Sequence, residues 1–271
     1  SNYQRTLWLA AQSGLADNPF FNELLPYGSA EETFGVIMEQ SMRPYRDEMF
    51  IATKAGYDMW PGPYGNWGSR KYLMASLDQS LQRMKLDYVD LFYSHRYDPN
   101  TPLDETLQAL VDVVRQGKAL YVGISRWPLK ALQYAAQYLK AHDVPLLTYQ
   151  GRFNLLDRAV EYEGILQEVE KIGCGFVSFS PLAQGLLTER YLHGIPADSR
   201  MRTDVTLKES ALTPQLFEQL NQLKAEAEAV GLTLPQYALQ WVLNHPTVTS
   251  VIVGVSKVEQ LKENLALLTN N

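Results

Sequence analysis

Three side chains in this sequence could together protonate a carbonyl oxygen. Tyr27 stands before a glycine, Lys54 follows the apolar run 50–53, and His95 lies just past the run 88–93. A phenol is a poor proton donor at neutral pH, but a nearby ammonium stabilises the phenolate and lowers the pKa of the phenol. An imidazole beside this pair can orient a carbonyl oxygen or relay a proton. The three residue types therefore predict a tyrosine general acid supported by lysine and histidine.

Each of the three side chains has a plainer explanation when it is considered alone. Lys54 could be a surface lysine whose aliphatic stem leaves the end of a strand, and Tyr27 could be an ordinary aromatic residue of a turn. A lone His95 is more often a structural histidine than a catalytic one. Only the combination of the three favours catalysis over these alternatives.

Alternating strands and helices must position these side chains. Strands are predicted at 49–53, 88–93, 119–124, 145–149, 175–179 and 250–253. Helices are predicted at 29–40 with Ser29 as N-cap, and at 69–84, 103–115, 128–140, 160–172, 213–231, 233–245 and 257–268. The polar segment 195–212 predicts a long loop. A strand about every 30 residues, with a helix between, is the βαβ pattern, which implies parallel strands.

The predicted fold is α/β, a (β/α)8 TIM barrel that forms a single domain over residues 1–271. Because only six strands are recognised, the first strands are expected to be truncated, irregular or missing from the sequence as given. A doubly wound Rossmann sheet is the competing architecture, and it needs a G-x-G-x-x-G turn between a strand and a helix. The glycines of 64–68 have the wrong spacing and no strand before them, which favours the barrel.

Every predicted strand ends in a polar or charged side chain. These strand-end residues are Lys54, His95, Ser125, Arg126, Gln150, Ser180 and the segment 254–257. The carboxyl ends of the strands of a barrel meet at one face, where barrel enzymes place their active sites. We therefore predict a polar site at that face.

The composition limits the classes of function. The formal net charge of -6 argues against nucleic acid or an anionic membrane as the main partner, and 46% hydrophobic residues allow a substantial core. The single cysteine, Cys174, excludes an internal disulfide. No apolar run is long enough to span a membrane, and no signal-peptide pattern begins the chain. We expect a cytoplasmic protein without a metal site.

Several stretches of the sequence resemble the aldo-keto reductases. The matching segments are 27–31, 51–54, 88–95, 121–127, 150 with 154–156, 179–187 and 253–264. Residues 55–65 look like the bacterial glyceraldehyde-3-phosphate or methylglyoxal reductase branch of that family. Residues 98–102 and 125–127 are also similar to the potassium-channel β-subunits, but those proteins carry asparagine at the position of His95.

The resemblance implies a role for each of the three candidate side chains. Tyr27 would be the general acid, Lys54 would lower the pKa of its phenol, and His95 would orient the carbonyl group. The family also has a catalytic aspartate that follows a phenylalanine. Asn22 stands at this position, where it can hydrogen-bond to a lysine but supplies no countercharge.

The resemblance also implies that NADP(H) is the cofactor, bound without a glycine fingerprint. The implied nicotinamide contacts are Ser125, Arg126 and Gln150 near the carboxamide and Phe179 stacked on the ring. The implied phosphate contacts are Ser180, Leu182 and Gly185 along the pyrophosphate and Ser256 and Lys257 at the 2′-phosphate. The implied adenine contacts are Gln260, Glu263 and Asn264. Ser256 and Lys257 open a helix, where backbone N–H groups and a cation suit a phosphate, whereas a solvated helix face is the alternative for Glu263 and Asn264.

The predicted function is NADPH-dependent reduction of small aldehydes, such as methylglyoxal or glyceraldehyde 3-phosphate, to alcohols. The alternative is an NADP(H)-binding sensor or regulatory subunit with little turnover. Tyr57 and Trp60 lie in a Gly- and Pro-rich loop after Lys54, where they could contact substrate as part of a lid, form an oligomer contact or pack on the barrel rim. The expected partner is a small aldehyde, with homo-oligomers allowed and neither nucleic acid nor membrane involved.

Overall fold

The computed structural model describes residues 28–188, 213–255 and 258–269. Asn22, Tyr27, Ser256, Lys257 and the predicted loop 195–212 lie outside the described residues. The described chain divides into two compact units. The larger unit contains residues 28–150 and 163–175, and the smaller unit contains 151–162 and the described residues from 176 onward. The single domain expected over residues 1–271 stays a prediction.

Four parallel strands form the sheet of the larger unit. They are β1 (Ala52–Ala55), β2 (Val89–Ser94), β3 (Ala119–Ser125) and β4 (Leu146–Arg152), paired in this order. The register places Lys54 beside Tyr93, and Ser125 beside Gln150. The predicted α/β class with parallel strands is thereby confirmed. The first strand was expected from Met49, ending at Lys54, but β1 begins at Ala52 and continues to Ala55, because the paired register with β2 covers these residues.

Helices lie before, between and after the strands along the chain. In chain order they are α1 (Ser29–Ile37), α2 (Arg70–Met84), α3 (Leu103–Arg115), α4 (Leu129–Ala141), α5 (Ala159–Tyr162), α6 (Ile165–Ile172), α7 (Pro214–Ala229), α8 (Leu234–Leu243) and α9 (Val258–Thr269). In α2 the Ser69 hydroxyl caps the helix by accepting a hydrogen bond from the backbone N–H of Tyr72. The face of α2 that carries Leu73 and Leu77 is fully buried. None of the helices in the described ranges is long and apolar enough to cross a membrane.

The start of α1 differs from the predicted serine cap. Gly28 is the N-cap, with a φ of 85°, and no side chain caps the helix. A side chain at Gly28 would be strained in this left-handed conformation, and its Cβ would fall 2.4 Å from the Arg83 Nε. The helix also changes to a π-helical turn at Met38, before the predicted end at 40. Ser29 is therefore the first residue inside the helix.

A second predicted helix, at 160–172, is interrupted. α5 ends at Tyr162 and α6 begins at Ile165, because Gly164 adopts a φ of 77° that an α-helix does not contain. A glycine at this position allows the left-handed turn at little steric cost. The periodicity of the apolar residues continues across the break, which is why the sequence predicts one helix.

The smaller unit contains a parallel strand pair and its own apolar cluster. β5 (Gly175–Phe179) pairs with β6 (Val248–Ile252) through Val177 opposite Ser250 and Phe179 opposite Ile252. The buried cluster joins α7, α8 and the loop after β5, and it comprises Leu187, Leu220, Leu234 and Ala238. α8 begins with a capping box in which Thr233 and Gln236 bond reciprocally. These contacts hold the loop after β5 against the two helices.

Candidate active site

Lys54 is a buried cation inside the sheet of the larger unit. Only 4% of the residue is exposed, and its Nζ lies 5.9 Å from the centre of the Tyr93 ring on β2. Burial lowers the pKa of Lys54 to about 8, and the Glu31 carboxylate opposes this shift. The side chain is therefore an ammonium at neutral pH that loses its proton at a moderately alkaline pH.

His95 follows β2 directly and lies close to the end of β1. Its backbone N–H donates to the Ala55 carbonyl over 2.8 Å, and its half-buried ring meets the Tyr57 ring edge-on at a centroid distance of 4.6 Å. Burial holds the pKa of His95 well below its usual value, and the charges of Lys54, Arg126 and Arg96 act in the same direction. His95 is thus neutral at pH 7, with one ring nitrogen that can donate and one that can accept. The buried Nδ1 has no hydrogen-bond partner among the described residues.

Ser125 ends β3, and Gln150 lies opposite it near the carboxyl end of β4. They are paired residues of β3 and β4, and they are 1% and 3% exposed. The Ser125 Oγ and the Gln150 Nε2 are buried without a hydrogen-bond partner in the part of the chain that the structure describes. Such unsatisfied groups are costly unless a ligand or water completes them. A carboxamide, which both donates and accepts, fits a hydroxyl beside an amide.

Arg126 leaves β3 in an unusual backbone conformation. Its φ is 59°, and its N–H donates to the Gln150 carbonyl over 3.1 Å. A positive φ is strained for a residue with a side chain and persists only where the surroundings impose it. The exposed side chain turns towards the loop after β1, where Nη1 donates to the Tyr57 hydroxyl over 2.7 Å.

The aromatic residues of that loop do not share one environment. Tyr57 is 7% exposed and lies between His95 and Arg126, whereas Trp60 packs on Tyr72 of α2 with ring centres 5.3 Å apart. Packing, one of the three alternatives considered for the loop, thus describes Tyr57 and Trp60 in the structure. The contact with His95 also places Tyr57 beside a candidate catalytic side chain.

In the smaller unit, the loop after β5 is built from tight turns. Phe179 ends the strand, and the Arg152 guanidinium lies 5.8 Å from the centre of its ring. Ser180 has a φ of 52°, and its carbonyl accepts a hydrogen bond from the Asn154 Nδ2 over 2.9 Å. Gly185 continues the loop with a φ of 99°. A loop of this kind presents successive backbone N–H groups and suits an anion.

The four remaining described residues implied in cofactor binding have different surroundings. Leu182 packs against the apolar cluster of the smaller unit, so its side chain has a structural role there. On α9, Gln260 and Glu263 are exposed, whereas Asn264 is buried at 7% exposure. The solvated helix face weighed for Glu263 and Asn264 therefore describes Glu263 but not Asn264.

Comparison with known proteins decides the family. A family model described as the aldo/keto reductase family matches residues 15–271. The chain belongs to the aldo/keto reductase family. It is 51% identical over 250 residues to the L-glyceraldehyde 3-phosphate reductases of Escherichia coli strain K12 and Escherichia coli O157:H7. These alignments cover 90% of this chain and 72% of each relative.

Membership of the family confirms several of the predictions. The resemblance to the glyceraldehyde-3-phosphate reductase branch is confirmed, and the chain is an oxidoreductase. The fold class is that of the family, a (β/α)8 barrel, to which the parallel strands and intervening helices conform. Family membership does not assign a role to any individual residue, so those roles must be argued from the geometry of the site.

The structure brings together part of the predicted site of this aldo/keto reductase. In the larger unit, the candidate residues at or beside the carboxyl ends of β1 to β4 are Lys54, His95, Ser125, Arg126, Gln150 and Tyr57. In the smaller unit, Phe179, Ser180, Leu182 and Gly185 end or follow β5. Trp60 packs on α2 and has no described contact with His95.

Two residues at the site were missed by the sequence reasoning. Glu31, assigned only to the first turn of a helix, is fully buried and accepts hydrogen bonds from the Thr53 hydroxyl over 2.6 Å and from Arg83. Arg96 stacks on Tyr57 with its Cζ 4.2 Å from the ring centre. The position of Arg96 directly after His95 was a signal for its role, whereas the burial of Glu31 left no trace in the local pattern.

Proposed function

We propose that this oxidoreductase reduces small aldehydes to alcohols with NADPH as the reductant. The observation that carries the proposal is that Lys54 is buried near the carboxyl end of β1, where the neutral His95 follows the adjacent strand β2. A buried ammonium beside an uncharged imidazole is an arrangement suited to proton donation and carbonyl orientation. The identity of 51% to two L-glyceraldehyde 3-phosphate reductases supports an aldehyde as the substrate class.

The candidate catalytic residues would each have a different role in carbonyl reduction. Tyr27 donates a proton to the carbonyl oxygen, and Lys54 favours the resulting phenolate through its positive charge. His95, being neutral, donates a hydrogen bond to the same oxygen and fixes the orientation of the carbonyl. When it is bound, NADPH supplies the hydride. Asn22, at the position of the family aspartate, would hydrogen-bond Lys54 without adding a negative charge.

Each group of implied cofactor residues would hold one part of NADP(H). In the described part of the chain, the Ser125 Oγ and Gln150 Nε2 lack a partner and fit the nicotinamide carboxamide, with the Arg126 backbone beside them and its side chain held at the Tyr57 hydroxyl. The remaining proposed contacts are Phe179 at the nicotinamide ring, Ser180, Leu182 and Gly185 at the pyrophosphate, and Gln260, Glu263 and Asn264 at the adenine. Ser256 and Lys257 would bind the 2′-phosphate, so the preference for NADP over NAD rests on them.

Glyceraldehyde 3-phosphate and methylglyoxal are the proposed substrates, and a sensor that binds NADP(H) with little turnover is the rival. The rival takes its support from Asn22, which leaves Lys54 without the family's countercharge. His95 favours the enzyme, because the channel β-subunits that the sequence resembles carry asparagine there. A cytoplasmic location and a homo-oligomer remain expectations.

The proposal is tested by NADPH oxidation with each of the two aldehydes. We expect turnover by the wild type, faster with NADPH than with NADH, and a kcat lower on the order of 100-fold in Tyr27→Phe, because a general acid contributes about that factor. Tyr45→Phe, at a residue 63% exposed, serves as the matched control and should equal the wild type. Tight NADPH binding without turnover would favour the sensor, and equal rates in Tyr27→Phe and wild type would remove Tyr27 from the mechanism.

A further inference from the structure

Two arginines lie beside His95, and no described carboxylate forms an ion pair with either of them. Arg96 follows His95 in the chain, and Arg126 follows β3. Within residues 28–188, 213–255 and 258–269, neither forms an ion pair with an acidic side chain. Both charges act on His95, together with that of Lys54. A group of like charges at a site favours a ligand of the opposite sign.

Tyr57 fixes the two guanidinium groups on different parts of one aromatic ring. The Arg96 Cζ lies 4.2 Å from the ring centre, and the Arg126 Nη1 donates to the hydroxyl over 2.7 Å. The same ring meets His95 at 4.6 Å between centroids. The two cations are therefore held within a few atoms of the imidazole that would orient the carbonyl group.

Arg96 is further restrained by the loop after β1. Its Nε donates to the Gly56 carbonyl over 2.7 Å, its Nη2 donates to the Asn66 Oδ1 over 2.7 Å, and Trp67 covers its face at 3.6 Å. The carboxylate of the same loop, Asp58, accepts its hydrogen bond from the Asn66 amide and not from Arg96. These contacts fix the plane of the guanidinium and leave Nη1 available in the described part of the chain. A pre-oriented arginine loses little entropy when it binds an anion.

We propose that Arg96 and Arg126 bind the anionic group of the aldehyde substrate and thereby make the enzyme selective for aldehydes that carry a phosphate or carboxylate. The proposal rests on the proposed aldehyde reductase function and extends it to the substrate class. Guanidinium groups donate parallel N–H bonds to the oxygens of such anions. Tyr57 acts as the positioning residue, since it holds one arginine by stacking and the other by a hydrogen bond.

The test compares two substrates that differ only in the phosphate. We would measure kcat/KM for glyceraldehyde 3-phosphate and for glyceraldehyde and take their ratio. The wild type should prefer the phosphorylated aldehyde, and Arg96→Met and Arg126→Met should each lower the ratio about 10- to 100-fold, the range of a hydrogen bond to a charged group. Arg126→Lys, which keeps the charge, should lower the ratio less than Arg126→Met does. Arg115→Met, at an exposed arginine of α3, is the control and should leave the ratio unchanged.

The affinity of each variant for NADPH, measured by fluorescence quenching, shows whether the arginines bind the anionic group of the substrate or the cofactor. A lower ratio with the dissociation constant of NADPH changed less than about threefold supports the proposal, where threefold is well below the effect of a lost charged hydrogen bond. An unchanged ratio in both variants of an active enzyme overturns the substrate site while leaving the aldehyde reductase function intact. An equal loss for both aldehydes with weaker NADPH binding also overturns it, since the charges would then serve the cofactor. A wild type that reduces neither aldehyde overturns the proposed function and this proposal together.

Discussion

At the scale of single residues, Glu31 connects the start of α1 to the strand that carries Lys54. Its carboxylate accepts a hydrogen bond from Thr53, the neighbour of Lys54, and forms an ion pair with Arg83 at 2.7 Å. The same charge raises the pKa of Lys54 against the larger effect of burial. Glu31 is thus a buried negative charge near the lysine in a chain with asparagine at the position of the family aspartate.

Replacing Glu31 by glutamine should move the alkaline limb of the pH–rate profile. The ammonium of Lys54 is the active form, so kcat of the wild type should fall as the pH rises through about 8. Without the carboxylate the charged form of Lys54 loses stabilisation, its pKa decreases, and the fall in kcat shifts to lower pH. The variant should also lose roughly 3 kcal/mol of stability, because Arg83 is left without its buried partner.

The matched control for this prediction is Glu32→Gln at the adjacent, exposed glutamate of α1. This control should keep both the pH profile and the denaturation midpoint of the wild type. A Glu31→Gln pH–rate profile that superimposes on the wild-type profile would show that the charge of Glu31 does not affect the pKa of Lys54.

The sequence was sufficient to predict the site residues at strand ends, but not the residues buried behind them. Lys54, His95 and Ser125 were predicted because each interrupts or ends an apolar run, and their placement by the structure agrees. Glu31 was explained by the helix dipole, an explanation that was locally sufficient and therefore hid its long-range partners. Tyr57 could not be assigned to His95, since the contact depends on how the loop folds back.

At the scale of elements, the predictions succeeded where local signals had no competitor. α3 and β5 have the predicted bounds to the residue, and α7 begins after the Thr213 cap as expected. The predicted helix at 160–172 is divided into two helices at Gly164. The predicted Ser29 cap was wrong, because Gly28, which packs against Arg83, is the N-cap. Both failures come from glycines that adopt a positive φ, which the periodicity of the apolar residues does not reveal.

The capping box of α8 should contribute measurably to stability. The Thr233 hydroxyl accepts from the Gln236 N–H, and the Gln236 side chain accepts from the Thr233 N–H over 3.1 Å. Thr233→Ala should lower the free energy of unfolding by about 1 kcal/mol, the usual value for a lost N-cap. Thr233→Ser keeps the hydroxyl and should stay close to the wild type in the same urea titration. An alanine variant as stable as the serine variant would show that the box adds nothing at this helix end.

At the scale of the whole molecule, the alternation of strands and helices was enough to predict parallel strands. A helix between successive strands returns the chain to the same edge of the sheet, and the pairings of β1 to β4 and of β5 with β6 follow that rule. The first strands of the barrel were expected in a segment that lies outside the described residues. Composition and charge restricted the partners but could not name the aldehyde, because in our proposal substrate choice depends on a few side chains around His95.

The central claim is that Lys54 supports proton donation during aldehyde reduction at the edge of this sheet. The most direct measurement is the steady-state oxidation of NADPH with glyceraldehyde 3-phosphate by Lys54→Met, beside Lys140→Met at an exposed lysine of α4. The prediction is a kcat lower on the order of 100-fold in Lys54→Met, with NADPH still bound, and wild-type turnover in Lys140→Met. Wild-type turnover by Lys54→Met would contradict the account.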